Sequence, residues 1–274
     1  MKLVNVGNIK VSNELPFTLI AGPCQLESLD HARMMCEKIL EACAPTNTNL
    51  IFKSSYDKAN RTSLNSSRGL GMERGLTILD TIKKEFGVPV ITDVHETTHC
   101  PIVAQVVDVI QIPAFLCRQT DLLIAAGETG KAINIKKGQF LSPAEMDNVA
   151  SKVASTGNEN IMLCDRGTSF GYNNLVSDFR GIPIMRETGY PVVFDATHSV
   201  QMPGGQGDTS GGKREFVPPL ATAAAAIGVA AIFIETHQDP DNAPCDGPNM
   251  MQIERMEGLI GKLSAHDRLS KELG

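Results

Sequence analysis

The chain has 274 residues, 42% of them hydrophobic and 20% charged, which excludes a disordered chain and supplies enough apolar surface for a large core. Its formal net charge of −6 excludes a nucleic-acid binder that works through overall charge, because such affinity comes from cations displacing phosphate counterions. No apolar run approaches the roughly 20 residues that span a bilayer, and the N-terminus has no continuous signal-peptide core, so a cytoplasmic protein without membrane partners is expected. The seven cysteines are odd in number and form no CxxC pair, which points to neither a disulfide framework nor a zinc ribbon.

In chain order, Val4–Gly7 and Ile9–Val11 read as a short hairpin within residues 1–15. Phe17–Pro23 is the first apolar strand, followed by a helix over Leu29–Ala44 with Met34, Met35, Ile39 and Leu40 on one side. Leu50–Ser55 is the next strand, and Met72–Phe86 the next helix, with Leu76, Leu79 and Ile82 at helical spacing. Strands follow at Pro89–Val94, Val109–Ala114, Ala132–Lys137, Asn160–Arg166, Pro191–His198 and Ala231–His237. Between them, Ser142-Pro143-Ala144-Glu145 has the order of a helix N-cap, a proline at the first position and a capping-box glutamate. The closing segment Met250–Leu269 carries Ile253, Met256, Leu259, Ile260 and Leu263 at helical intervals.

Strand starts recur about every 31 residues, the size of a βαβ unit, and near-continuous apolar strands suit a parallel sheet buried on both faces. Eight such units predict an α/β fold of the (β/α)8, or TIM barrel, type as one domain over residues 1–274, with the hairpin capping the barrel bottom. A doubly wound open sheet is the alternative.

In a barrel of this kind chemistry gathers at the C-terminal ends of the strands. Those ends carry Cys24, Lys53, Asp93 with His95, Gln111, Lys136, Arg166, Asp195 with His198, and Glu235 with His237. Lys53, Lys58, Arg61, Lys136 and Arg166 form a cationic set suited to phosphate and carboxylate oxygens. Any one of these lysines alone reads as solvated surface; their convergence on one mouth does not. A second set, Cys24, His198, Glu235 and Asp246, offers sulfur, nitrogen and oxygen donors fitting a divalent transition metal such as Fe(II), Mn(II) or Zn(II). Read alone, Cys24 is equally a packed thiol and His198 a hydrogen-bonded core histidine. The loop Pro203–Glu215 has five glycines and reads either as a mobile lid or as plain glycine-rich linkage.

The motifs IAGPCQLES (Ile20–Ser28), FKSSYDKANRTS (Phe52–Ser63), IQIPAFLCRQTDLL (Ile110–Leu123) and INIKKGQF (Ile133–Phe140) occur in order. RGTSFGYNNLVSDFR (Arg166–Arg180), DATHSVQMPGG (Asp195–Gly205) and IETH (Ile234–His237) complete the series. Together they resemble the 3-deoxy-D-manno-octulosonate 8-phosphate synthases over nearly the whole chain. The resemblance implies condensation of phosphoenolpyruvate with D-arabinose 5-phosphate and water, in lipopolysaccharide inner-core biosynthesis, by a homotetrameric barrel without an organic cofactor.

It further implies that Lys53, Lys136 and Arg166 cradle phosphoenolpyruvate, and that Lys58 lies near the reacting centre. Asn60 is implied to contact the sugar phosphate, and Arg61 to reach it across a subunit boundary. Lys58, Asn60, His95 and Asp246 are thus expected nearest the chemistry. Thr62, Asp93, Gln111 and Gln201 join the substrate-binding set, with Phe115 and Arg118 in the segment meeting a neighbouring subunit. Thr62 stands where the KANRS motif has serine, and its hydroxyl keeps the hydrogen-bonding capacity. The KANR segment favours arabinose 5-phosphate over the erythrose 4-phosphate of 3-deoxy-D-arabino-heptulosonate 7-phosphate synthases, the alternative reading. Cys24 stands where the metal-independent division has asparagine, which implies a metal-dependent enzyme with Cys24, His198, Glu235 and Asp246 as ligands. Rivals outside this family are a Schiff-base aldolase using Lys53 or Lys136, and a non-catalytic phospho-sugar-binding barrel.

Overall fold

The computed structural model describes residues 1–60, 68–202 and 211–273. The N-terminal hairpin forms from β1 (Val4–Val6) and β2 (Ile9–Val11). The sheet then runs through β3 (Thr18–Gly22), β4 (Leu50–Lys53), β5 (Val90–Asp93), β6 (Val109–Ile112), β7 (Ala132–Lys136), β8 (Ile161–Asp165) and β9 (Val192–Asp195). A small ribbon, β10 (Gln201–Met202) with β11 (Gly211–Gly212), precedes β12 (Ala231–His237) and β13 (Met251–Gln252). Each of the barrel strands pairs in parallel with the next, and β12 pairs with both β9 and β3, closing an eight-stranded barrel. The closure rules out the open sheet. Around it lie α1 (Leu29–Cys43), α2 (Met72–Phe86), α3 (His99–Val103), α4 (Thr120–Glu128), α5 (Met146–Ala154), α6 (Gly181–Arg186), α7 (Val217–Ile227) and α8 (Met256–Leu273).

Local signals set the helix ends. The Ser28 hydroxyl accepts from the His31 amide at 3.0 Å to start α1, and Gly87 in the left-handed region (φ 65°) stops α2. The Glu145 carboxylate accepts from the Ser142 amide at 2.9 Å, and the single turn it caps leads directly into α5. The closing helix begins at Met256 rather than Met250. Met251 and Gln252 pair with Thr236 and His237 of β12, and a 3-10 turn over Ile253–Arg255 follows before α8. Strand pairing therefore overrides the helical spacing of that stretch.

Strand periodicity builds the interior. Ile20, Ile51, Ile91, Val109, Ala132, Met162, Cys164, Val193, Ala231 and Phe233 face inward and pack with Val4, Val6, Ile9 and Val11 of the hairpin, which plugs the bottom. Residues beside them, such as Leu19, Phe52, Ile110 and Ile232, face outward into the larger core under the helices. Two positions further along the inward face come Lys53, Asp93, Gln111, Asn134, Arg166, Asp195 and Glu235, with Lys136 beyond Asn134, and all are buried. Where β3 joins this layer it carries Gly22, whose added Cβ would lie 2.0 Å from the Lys53 carbonyl oxygen. Among the described residues no helix is long and apolar enough to cross a membrane.

Candidate active site at the barrel mouth

Three linked groups form the mouth. In the first, Lys53 at the end of β4 pairs with the Glu235 carboxylate and donates to the Cys24 carbonyl at 3.2 Å. Both side chains are fully enclosed. Burial opposes the Lys53 charge, but Glu235, Cys24 and Asp93 together outweigh it and hold the ammonium above the usual lysine range. Burial likewise raises the Glu235 carboxyl, while Lys53 and His198 pull it further down, so the carboxylate form prevails.

The second group joins Lys58, Ser55, Asp93 and His95. Lys58 Nζ donates to Ser55 Oγ at 2.9 Å, Ser55 donates to Asp93, and the other Asp93 oxygen lies 2.9 Å from His95 Nε2. Burial would raise the Asp93 carboxyl, yet the His95 hydrogen bond and the Lys58 and Lys53 charges hold it far below the usual carboxylate range. The second ring nitrogen of His95, Nδ1, is buried without a hydrogen-bond partner.

The third group centres on Asp195. Its carboxylate meets Lys136 Nζ at 2.6 Å and His198 Nδ1 at 2.8 Å, and accepts the His198 amide at 2.9 Å. His198 Nε2 is thereby turned toward Glu235 Oε2 and Asp246 Oδ2, both 3.7 Å away, while Cys24 Sγ lies 3.1 Å from Asp246 Oδ2. Phe233 floors the group, its ring centroid 4.0 Å from Lys136 Nζ and 5.8 Å from the His198 ring. Arg166 donates to the His198 carbonyl at 3.2 Å and to Gln201, which in turn donates to Asp246 at 3.2 Å. Burial lowers the Arg166 pKa despite the nearby Asp195 and Asp246 charges, and its Nε has no partner. Among the described residues, neither Lys58 nor Arg166 forms an ion pair with a carboxylate.

The donor set fits a transition metal. His198, Glu235 and Asp246 bring ligand atoms within 4.8 Å of one another, and Cys24, 3.1 Å from Asp246, adjoins them in a second such group with Asp246 and Cys245. Glu235 Oε2 is buried with no hydrogen-bond partner, an orphan that a cation would satisfy. Burial, then the neighbouring Cys245 and Glu235, push the Cys24 thiol well up, so its thiolate needs a cation beside it. Asp195 holds the far nitrogen of His198, as carboxylates behind ligating histidines do.

Gln111 is also inside, accepting from Asn134 at 3.2 Å. Asn60, Phe115 (57% exposed) and Arg118 are exposed. Arg61, Thr62 and residues 203–210 of the glycine-rich loop fall outside the described residues. The end of that loop is anchored: β11 pairs with β10, and Arg214 bonds the Gly247 carbonyl at 2.6 Å. Sequence reasoning missed Ser55, Asp195 as the anchor of two site residues, Phe233, and Cys245 beside Cys24. The adjacency of Cys245 to Asp246 was the available signal for the last.

The profile of the DAHP synthetase I family matches residues 2–270. A 2-dehydro-3-deoxyphosphooctonate aldolase of Granulibacter bethesdensis is 60% identical over 270 residues, 98% of this chain and 96% of that protein. Proteins of the same name from Bartonella quintana (60% over 271 residues, 99% and 98% of the two chains) and Brucella anthropi (58% over 270 residues, 98% of each) are similar over the same extent. With a closed barrel, a cationic mouth and matches over nearly its whole length, the chain belongs to the DAHP synthetase I family, on the side of its 2-dehydro-3-deoxyphosphooctonate aldolases.

Proposed function

We propose that the protein condenses phosphoenolpyruvate with D-arabinose 5-phosphate and water, giving 3-deoxy-D-manno-octulosonate 8-phosphate and inorganic phosphate for lipopolysaccharide biosynthesis. The observation that carries this reading is Arg166 and Lys58, two cations at the mouth that make no ion pair with a carboxylate among the described residues, beside Lys53 and Lys136, which each pair with one. A buried guanidinium without a counter-ion is costly, and an anionic substrate offsets that cost. Lys53, Lys136 and Arg166 bind the phosphate and carboxylate of phosphoenolpyruvate, and Lys58 lies at the reacting carbons. Asn60, Arg61 and Thr62 take the sugar phosphate.

C3 of phosphoenolpyruvate attacks the aldehyde carbon, water adds at C2, and the hemiketal phosphate loses phosphate by C–O cleavage. The lysines and Arg166 fix the trianion in near-attack geometry and balance the charge that shifts toward the departing phosphate. Asp93 and His95, joined to Lys58 through Ser55, provide a hydrogen-bonded path along which a proton moves at Lys58 Nζ. Asp195 keeps Lys136 and His198 in place throughout.

We assign the protein to the metal-dependent division, with Cys24, His198, Glu235 and Asp246 as ligands for Fe(II), Mn(II) or Zn(II). Such an ion supplies Lewis acidity for orienting or polarising the aldehyde or activating water. We also place the enzyme in the cytoplasm as a homotetramer, with Arg61 and the Phe115–Arg118 segment, whose Phe115 is exposed, at a subunit boundary. The test is phosphate release from phosphoenolpyruvate with arabinose 5-phosphate or erythrose 4-phosphate. Turnover with the five-carbon sugar and not the four-carbon one is expected; the reverse preference would make this a heptulosonate-forming enzyme.

A further inference from the structure

We propose that Glu27, His31 and His237 form a second binding site, outside the mouth set, for a divalent cation of the Zn(II), Co(II) or Ni(II) type. Glu27 follows β3, His31 lies in the first turn of α1, and His237 ends β12. One ligand atom from each lies within 4.8 Å of the other two. The histidine rings stand 4.9 Å apart, centroid to centroid, with the Glu27 carboxylate between their nitrogens. His237 Nε2 is 2.7 Å, and His31 Nδ1 3.7 Å, from the same oxygen, Glu27 Oε1.

The state of His31 is what points to a ligand. Its side chain is only 10% exposed, and Nδ1 is buried without a hydrogen-bond partner. The other nitrogen, Nε2, lies 2.8 Å from Gln238 Oε1, an acceptor, so the ring proton resides on Nε2 and Nδ1 presents its lone pair to Glu27. A ligating histidine is held in the same way, with its far N–H given to an oxygen and its free nitrogen aimed at the ion. A buried nitrogen lone pair facing a carboxylate is unfavourable unless a proton or a cation separates them.

His237 is arranged differently. The Asp239 amide donates to its Nδ1 at 3.0 Å, so its proton is on Nε2 and is given to Glu27. With a cation bound, His237 Nε2 is the third ligand and the ring keeps its one proton on Nδ1, which turns from the Asp239 amide of the exposed Gln238–Asp239 loop. His31 Nδ1 and the Glu27 carboxylate are therefore the first two ligands. The set holds two imidazoles, one carboxylate and no sulfur, which selects borderline transition metals over calcium or magnesium. An ion here ties the start of α1 to the end of β12, next to the segments that carry Cys24 and Glu235.

The test uses Co(II) as the probe on the intact protein, followed by equilibrium dialysis and absorption spectroscopy. A thiolate ligand at the mouth gives a sulfur-to-cobalt charge-transfer band, whereas the proposed site adds an equivalent without one. His31→Gln and Glu27→Gln are each expected to lose that band-free equivalent while keeping phosphate release, and Cys24→Ser to retain it. Absence of a band-free equivalent in the parent protein, or its persistence in both the His31 and Glu27 variants, would overturn the proposal. In that case the three residues are a hydrogen-bonded brace and no more.

Discussion

The bottom and the mouth of the barrel are built on one inward alternation and end in opposite chemistry. At the bottom, Ile51, Ile91, Val193 and Phe233 meet the hairpin valines in a dry layer. Two residues further along the same strands, Lys53, Asp93, Asp195 and Glu235 stand in equally complete burial. The bottom is stabilised by apolar area removed from water, about 25 cal/mol per Å². The mouth gains nothing of that kind. Its charges survive burial through their oppositely charged neighbours, and Arg166, whose burial outweighs those neighbours, is a cost that an anionic ligand relieves. Stability and chemistry are thus separated by a single step of the strand period.

The sharpest way to break that contrast is Lys53→Met, which leaves Glu235 enclosed without its cation. It is expected to cost about 3–5 kcal/mol, read from urea unfolding, and to reduce phosphate release by about 10²–10³-fold. Asp195→Asn keeps the shape but removes the charge that anchors both Lys136 and His198. Metal affinity and kcat/KM are expected to fall by about 10–100-fold. At the other end, Met162→Ala opens a cavity in the bottom layer; a loss of about 2–5 kcal/mol is expected, with a lower Tm and unchanged kcat/KM. A loss of activity as large as that of Asp195→Asn would dissolve the separation of the two ends.

The smallest effect is one of pH, from thiols away from the mouth. Burial pushes Cys36 and Cys43 of α1 up to about 12, from an ordinary value of 9.0. The folded state therefore holds these protons more tightly than the unfolded chain. The associated stability is fully present below pH 9.0 and is lost as the pH rises toward 12. Urea midpoints are expected to drop on this limb, and less so in Cys36→Ala.

Much of this was legible in the residues. Near-continuous apolar runs at a regular spacing located every barrel strand to within a few residues, because strands buried on both faces of a parallel sheet are apolar throughout. Strand-end position also identified Lys53, Asp93, Lys136, Arg166 and Glu235. What escaped detection depends on closure. Met250–Leu269 has helical spacing, and only the proximity of β12 draws Met251 and Gln252 into a strand. Asp195 was visible as a polar strand end, but its double grip on Lys136 and His198 needs the β7–β9 geometry. Cys24 and Asp246 are far apart in the chain, and their 3.1 Å contact required the ring to close.

The central claim is that the mouth is a cation-dependent condensing site, and chelation tests it most directly. Phosphate release from phosphoenolpyruvate and arabinose 5-phosphate would be followed before and after exhaustive chelation, with metal content measured on the same samples. Activity is expected to disappear with the metal and to return on adding Mn(II) or Fe(II), but not in Cys24→Ser. Full turnover by protein verified to be metal-free would contradict the claim and leave Cys24 a packed thiol beside an otherwise intact synthase.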